Sequence, residues 1–241
     1  MTSERGFKEL SEFMQYLVRE SGDGDRLPSL STLSQQLGVS VATLREQLEV
    51  ARALGLVEVK PKTGIRRLPY QFKPAVLKSL SYAASIDPAN YLQYFADFRN
   101  HIEEAYWEQS VRLLTDEDRA HLRDLVDQAF DKLNGQPIQI PHSEHRELHL
   151  SIYQRLNNPF VTGVLEAYWD AYEAFGLNMY RDISYLHVVW DYHRKMVDAI
   201  NIGDLAAGYR ALTDHTRLLQ RRSTASEAAN ARSMASRQEF E

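Results

Sequence analysis

The stretch from Arg26 to Leu68, RLPSLSTLSQQLGVSVATLREQLEVARALGLVEVKPKTGIRRL, leaves the chain few folds to choose from. Ser29 is a candidate N-cap for a short helix through Gln36, because its oxygen can accept from the first free backbone N–H groups. Leu33 and Leu37 share one face of that helix. Gly38 supplies a turn, since glycine takes positive φ without a Cβ penalty. Ser40 starts a second helix, where Val41, Leu44, Leu48, Ala51 and Leu54 keep a three- or four-residue step along one side and Gly55 caps the end. Leu56 to Lys60 then alternates apolar and polar, Lys62-Thr63-Gly64 turns, and Ile65 to Leu68 returns as the second strand of a hairpin. Helix, tight turn, helix and small β-wing is an arrangement that reads DNA, with its second helix in the major groove.

Charge supports that reading through its distribution rather than its sum. Residues 1–70 carry ten Lys or Arg and nine Asp or Glu, yet Lys60, Lys62, Arg66 and Arg67 fall within eight residues that hold no acid. A basic wing beside a recognition helix can lie along phosphates; the alternative is a merely solvated hairpin. The residues expected at DNA are Ser40, Val41, Ala42, Thr43 and Arg45 on the helix and Lys60, Lys62, Thr63, Gly64 and Arg66 on the wing. Arg45 suits guanine or phosphate, and Val41 or Ala42 a thymine methyl. The net charge of −5 argues against a chain that coats nucleic acid along its whole length, but not against one basic surface.

The rest of the chain changes character. Phe7, Leu10, Phe13, Met14, Leu17 and Val18 predict one amphipathic helix over residues 5–20, broken by Ser21-Gly22-Asp23-Gly24-Asp25. After a linker at 69–75, long helical patterns replace short elements, and no strand pattern follows. Helices are expected near 74–85, 88–113, 115–133, 142–157, 159–181, 184–202 and 204–224, with Thr115 and Asp118 as a capping-box variant. The expected fold is therefore mainly α: a winged helix-turn-helix over 1–68, an all-α bundle of six or seven helices over 76–222, and a polar, disordered tail over 223–241. No cysteine is present, which excludes disulfides and thiolate metal sites. No signal-like run or stretch of transmembrane length occurs, so a cytoplasmic protein without membrane contact is expected.

All eight histidines lie after residue 100. His145 and His149, four apart in HSEHRELHL, share a helix face, while His193 and His215 lie on two further helices. Three helices of a bundle can aim such side chains into one cavity, where imidazoles suit Zn, Ni, Cu or Fe. The alternative is four unrelated surface or core histidines. Arg99 offers a planar fork for a carboxylate ligand. With Glu103 one turn later, the local physics favours an exposed Arg99–Glu103 pair of small energetic consequence.

Taken together, residues 5–222 resemble the GntR family of bacterial transcription regulators, in its FadR-like branch with an all-helical FCD effector domain. The pattern LPS, LGVS, a helix like VREAL, GL and a basic glycine-containing wing carries the likeness in the reader. FRNHIE, LHLSIYQRLNNP and YHRKMVDAINIGDLAAGYRALTDH, in which His215 stands 22 positions after His193, carry it in the bundle. The resemblance implies a metal bound by an Asp and three His. His149, His193 and His215 match the histidines, but the aspartate's place is taken by His145. A four-histidine site, or three histidines plus water or effector, is then implied, holding a divalent transition metal such as Zn or Ni. Arg99 would clamp the carboxylate of a small organic acid. Family members also carry arginines where Ser31 and Val41 stand, so the operator is expected to differ from the common family site.

The function expected from the sequence is a non-enzymatic, homodimeric, ligand-responsive repressor on a near-palindromic operator in double-stranded DNA. Its alternatives are a metal-free regulator of acyl-thioester-like ligands and a metal-dependent hydrolase.

Overall fold

The computed structural model describes residues 6–20, 26–175 and 182–218 of the chain. Helix α1 (Glu12–Arg19), α2 (Leu30–Leu37) and α3 (Val41–Ala53) precede an antiparallel hairpin of β1 (Val57–Lys60) and β2 (Gly64–Arg67). Each boundary has a local cause. Ser29 and Ser40 cap α2 and α3 by accepting from Thr32 N–H and Thr43 N–H. Gly38, at φ 67°, turns the chain between them. The hairpin pairs Val57 with Arg67 and Lys60 with Gly64, and Lys62 adopts φ 69° in the connecting turn. Leu27 N–H donates to Ile65 O at 2.9 Å, so the segment before α2 lies along the wing. Phe13, Leu17, Leu33, Leu44, Leu48, Ala51, Val57 and Ile65 meet in one core.

One predicted element is shorter than expected. Residues 6–8 form only a helical turn, and α1 begins anew at Glu12. Ser11 interrupts the pattern because its side chain accepts from Met14 N–H, which favours a cap over a helix interior. Gln47 on α3 then fixes this start, accepting from Phe13 N–H at 2.9 Å and donating to Glu12 at 2.6 Å.

The remaining elements are helices: α4 (Lys73–Ile86), α5 (Pro88–Leu113), α6 (Asp116–Asn134), α7 (His142–Tyr153), α8 (Pro159–Ala174) and α9 (Ile183–Ile202). A last helix, α10, is described over residues 205–218. The capping box at Thr115 and Asp118 is present, and Pro88 and Pro159 occupy first-turn positions. Two expected helices end early: α7 tightens into a 3-10 turn over Gln154–Leu156, and α8 stops at Ala174. Asp118 holds that turn through two hydrogen bonds from Arg155, at 2.9 and 3.0 Å. The expected helical stretch 176–181, the end of the last helix and the polar tail lie outside the described residues.

The bundle core joins α5, α6, α7, α9 and α10 around Trp107, Leu122, Leu148, Ile152, Trp190 and Leu212. Trp107 seats at Gly208 of α10, where an added Cβ would stand 2.6 Å from the indole. Its Nε1 donates to Leu205 O at 3.0 Å. Helix α4 lies across α8 and α5 at the other side of the bundle.

A tight contact joins the linker to α8. A Cβ at Gly163 would lie 2.7 Å from Lys73 N and 2.9 Å from Phe72 Cβ. Replacing a helical glycine with alanine ordinarily stabilises by about 1 kcal/mol. Here backbone is in the way, and overpacking costs about 1–3 kcal/mol, so the clash wins. Gly163→Ala should lower the urea midpoint; a rise would contradict the Phe72–Gly163 packing.

Candidate metal centre and DNA-reading surface

Helix α7 places His145 and His149 one turn apart, α9 contributes His193, and α10 contributes His215. One nitrogen from each of the four lies within 4.8 Å of the others. His149, His193 and His215 are buried. His145 is half-buried as a residue, but its Nε2 is shut away from solvent. His149 Nε2 and His193 Nε2 face each other at 3.2 Å. The indoles close the site: Trp169 lies 4.8 Å from the His145 ring, and Trp190 lies 4.8 Å from the His193 ring.

Burial sets the protonation of this group. All four imidazoles are held well below their ordinary pKa, first by desolvation. Neighbouring imidazoles and the Arg99 guanidinium add to the effect for His145, His193 and His215, and Arg99 does so for His149. Four neutral imidazoles in one place are four nitrogen donors without a proton to displace. His149 Nδ1 stands 3.2 Å from Glu103 Oε1. A proton on Nδ1, donated to that carboxylate, leaves the Nε2 lone pair directed at the cluster, as metal-ligating histidines commonly are arranged.

The donor set fits a transition metal. His145 Nε2, His193 Nδ1 and both nitrogens of His215 are buried without a hydrogen-bond partner, which protein interiors rarely tolerate. Two ligands of one tetrahedral ion, each at about 2.0–2.1 Å, sit roughly 3.4 Å apart, close to the 3.2 Å between His149 and His193. An all-imidazole set without a carboxylate suits Zn or Ni better than Mg or Mn.

The exposed ion pair expected from Arg99 and Glu103 is a buried one. Arg99 is 1% exposed and Glu103 0%. Their helix, α5, turns this face into the bundle, with Arg99 Nε 3.0 Å from Glu103 Oε1 and Nη1 donating to Asn100 Oδ1 at 3.0 Å. The guanidinium also lies over Tyr168 at 4.8 Å and Trp169 at 5.2 Å. Its Nη2 is buried with no partner. Burial raises the Glu103 pKa to about 7, against the opposing pull of Arg99 and His215. Glu103 is the residue that sequence reasoning misplaced. Its signal was the same i,i+4 spacing, read on the wrong side of the helix. Trp169 and Tyr168 were not anticipated at all. By contrast Glu144 pairs with Lys132 at 2.6 Å and Glu147 lies 3.5 Å from His121, so both face away as expected.

At the other end of the chain, Ala42, Thr43 and Arg45 are exposed on α3, Val41 is half-buried, and Ser40 is engaged as the cap. Lys60, Lys62, Thr63, Gly64 and Arg66 are exposed on the wing. Lys60 is balanced by Glu58 at 2.9 Å, and Arg67 donates to Glu20 O at 2.6 Å. Lys62 and Arg66 therefore carry more of the wing's positive field than Lys60 and Arg67.

Comparison with known proteins gives two family matches: the FCD domain over residues 95–218, and bacterial regulatory proteins of the gntR family over residues 19–66. The chain is 26% identical over 202 residues to YieP, an uncharacterized HTH-type transcriptional regulator of Escherichia coli K12, covering 81% of this chain and 84% of that protein. A GntR structure from Streptococcus agalactiae shares its fold with a TM-score of 0.59 and 18% identity, over 89% of this chain and 99% of that one. The E. coli McbR/YncC structure gives a TM-score of 0.49 and 19% identity, over 82% and 86% of the two chains. Among the described residues no helix is long and apolar enough to cross a membrane.

The cluster makes the ion-free protein acid-sensitive. The four histidines keep folded pKa values below the unfolded 6.5, so their neutral form supports folding above pH 6.5 and that support is lost as pH falls. Glu103 acts oppositely between its unfolded value of 4.5 and about 7, where the folded state holds the extra proton, but one group offsets only one histidine. Chelator-treated protein should lose stability from pH 6.5 to 5, measured by urea unfolding. The double variant His193→Ala, His215→Ala should show a shallower slope, and an equal slope would remove the cluster as its cause.

Proposed function

The chain belongs to the GntR family of bacterial transcription regulators and carries an FCD effector domain, and we propose that it is a homodimeric repressor whose grip on DNA answers to a small carboxylate bound at a metal-centred pocket. The observation that carries this reading is the buried cluster itself. Four neutral imidazoles share one centre, and an unpartnered Nη2 of Arg99 lies within the same buried group. His145, His149, His193 and His215 would hold the metal, which supplies a Lewis-acidic partner for one carboxylate oxygen. Arg99 would take the second oxygen by a charge-assisted hydrogen bond. Glu103 orients both His149 and Arg99.

The reading of DNA rests on α3 and the wing. Arg45 and Thr43 face outward for base edges, and Lys62, Thr63, Gly64 and Arg66 follow the backbone. Two copies on a near-palindrome would each read one half-site.

A response requires a path between site and reader, and α8 is well placed to be one. Trp169 touches the His145 and His149 rings, and its neighbour Asp170 accepts from Lys73 at 2.7 Å and Arg146 at 3.0 Å. Lys73 opens α4, and the next residue, Pro74, packs where a Gly55 Cβ would have stood, 2.5 Å from that position. Effector binding can shift the reader only through a different affinity for each arrangement, and this contact chain is where the difference would be felt.

Three outcomes are expected. Elemental analysis after incubation with Zn²⁺ or Ni²⁺ should find equimolar metal in the wild type and little in His149→Ala or His193→Ala. An empty wild type would make the cluster structural and turn the search to metal-free ligands such as acyl thioesters. On DNA fragments selected from a random library, Arg45→Ala should weaken binding about tenfold or more, the loss of roughly 1–3 kcal/mol; unchanged affinity would remove α3 as the recognition helix. Lys73→Met should keep metal and DNA binding but flatten the response of DNA affinity to added dicarboxylates, as read by fluorescence anisotropy. A full response would exclude the α8 path.

A further inference from the structure

We propose that the outer face formed by α4 and α5 is the surface on which a second copy of this chain docks. This deepens the two-reader proposal by naming where the copies meet. Between the two helices runs a groove of about 570 Å³. Small residues Ala75, Ser79 and Ala83 line its α4 side, while Tyr91, Tyr94 and Phe98 line its α5 side. Tyr82 and Ile86 extend the apolar surface along α4. Tyr82, Ile86, Tyr91, Tyr94 and Phe98 are each between 42% and 74% exposed.

Area decides that this surface is covered. At roughly 200 Å² for a fully exposed large side chain, these five leave roughly 600 Å² of mostly apolar surface in water. A patch of a few hundred Å² is already large for a monomer. A stable interface takes roughly 800 Å² from each partner, and the intervening small residues bring this face near that figure. Its chemistry is that of an interface core as well: aromatic side chains are enriched and charges are absent from the groove lining.

Shape and charge decide that the partner is a second copy. A two-fold contact must be self-complementary, because the same patch serves both sides. Here bulky rings on α5 stand beside a shallow surface of small residues on α4, so one copy's rings can fill the other's groove. The rims match too. Exposed Lys78 lies on the α4 edge and exposed Asp97 on the α5 edge, and a two-fold rotation that lays α4 over α5 brings opposite charges together. A membrane or an acidic partner would call for a cationic rim, which this face lacks.

Sedimentation velocity of the full chain tests the inference without DNA or added metal, so its result stands apart from the DNA-binding and metal readings. Wild type should sediment at twice the 27.8 kDa chain mass. Tyr94→Asp and Ala83→Arg, with far-UV circular dichroism unchanged, should fall to the single-chain mass, while Ile202→Asp, 80% exposed on α9 of the opposite layer, should stay double. A single-chain wild type, or folded Tyr94→Asp and Ala83→Arg that remain double, would overturn it. Because the chain has no cysteine, cross-linking gives a second measurement that requires no disruptive change. Ser79→Cys should form a covalent pair with a short bismaleimide and Ile202→Cys should not. The reverse pattern would place the contact elsewhere.

Discussion

Desolvation of polar groups in the middle of the bundle is the constraint around which the rest is arranged. Burying an imidazole without a partner costs free energy, and this chain buries four together with an arginine and a glutamate. Protein contacts meet only part of that need. Arg99 finds Glu103 and Asn100, and His149 finds Glu103 and His193. His215 finds no hydrogen bond at all. Had packing been the only requirement, leucine would have filled the space at lower cost. An interior left this unsatisfied has the character of a binding site, and the aromatic wall of Tyr168, Trp169 and Trp190 keeps water from relieving it.

That wall also explains the position of the reader. Helix α8 presents Trp169 to the histidines on one side and receives the linker on the other, at Gly163 and Asp170. A residue too small to obstruct and an acid that pairs with Lys73 and Arg146 bring two distant functions onto one rigid element. Wing and bundle keep separate apolar cores, and the junction is short and specific.

The reader was legible in sequence almost to the residue, because caps and turns are local chemistry. Ser29, Gly38, Ser40 and Gly55 each act within a few positions of themselves. The four histidines could be grouped by helix, but their convergence needed the packing of α7, α9 and α10 and came to the sequence reading through family likeness. The misjudged elements have the same origin in reverse. Ser11 competes for a cap inside a convincing apolar repeat. Glu103 and Arg99 have the spacing of a solvent-facing pair, and only the placement of α5 decides which way that face looks. Trp169 and Tyr168 carry no local signature, since an aromatic at helical spacing reads as ordinary core.

The seat of Trp107 at Gly208 bears on the order in which this site can come into being. It fixes α10 against α5, and α10 brings His215. A chain emerging from the ribosome through α9 already carries His145, His149 and His193, yet it lacks the fourth imidazole and the glycine notch that aligns it. The complete donor set therefore exists only once the last helix has docked, and ligation becomes a marker of finished synthesis as well as a structural feature.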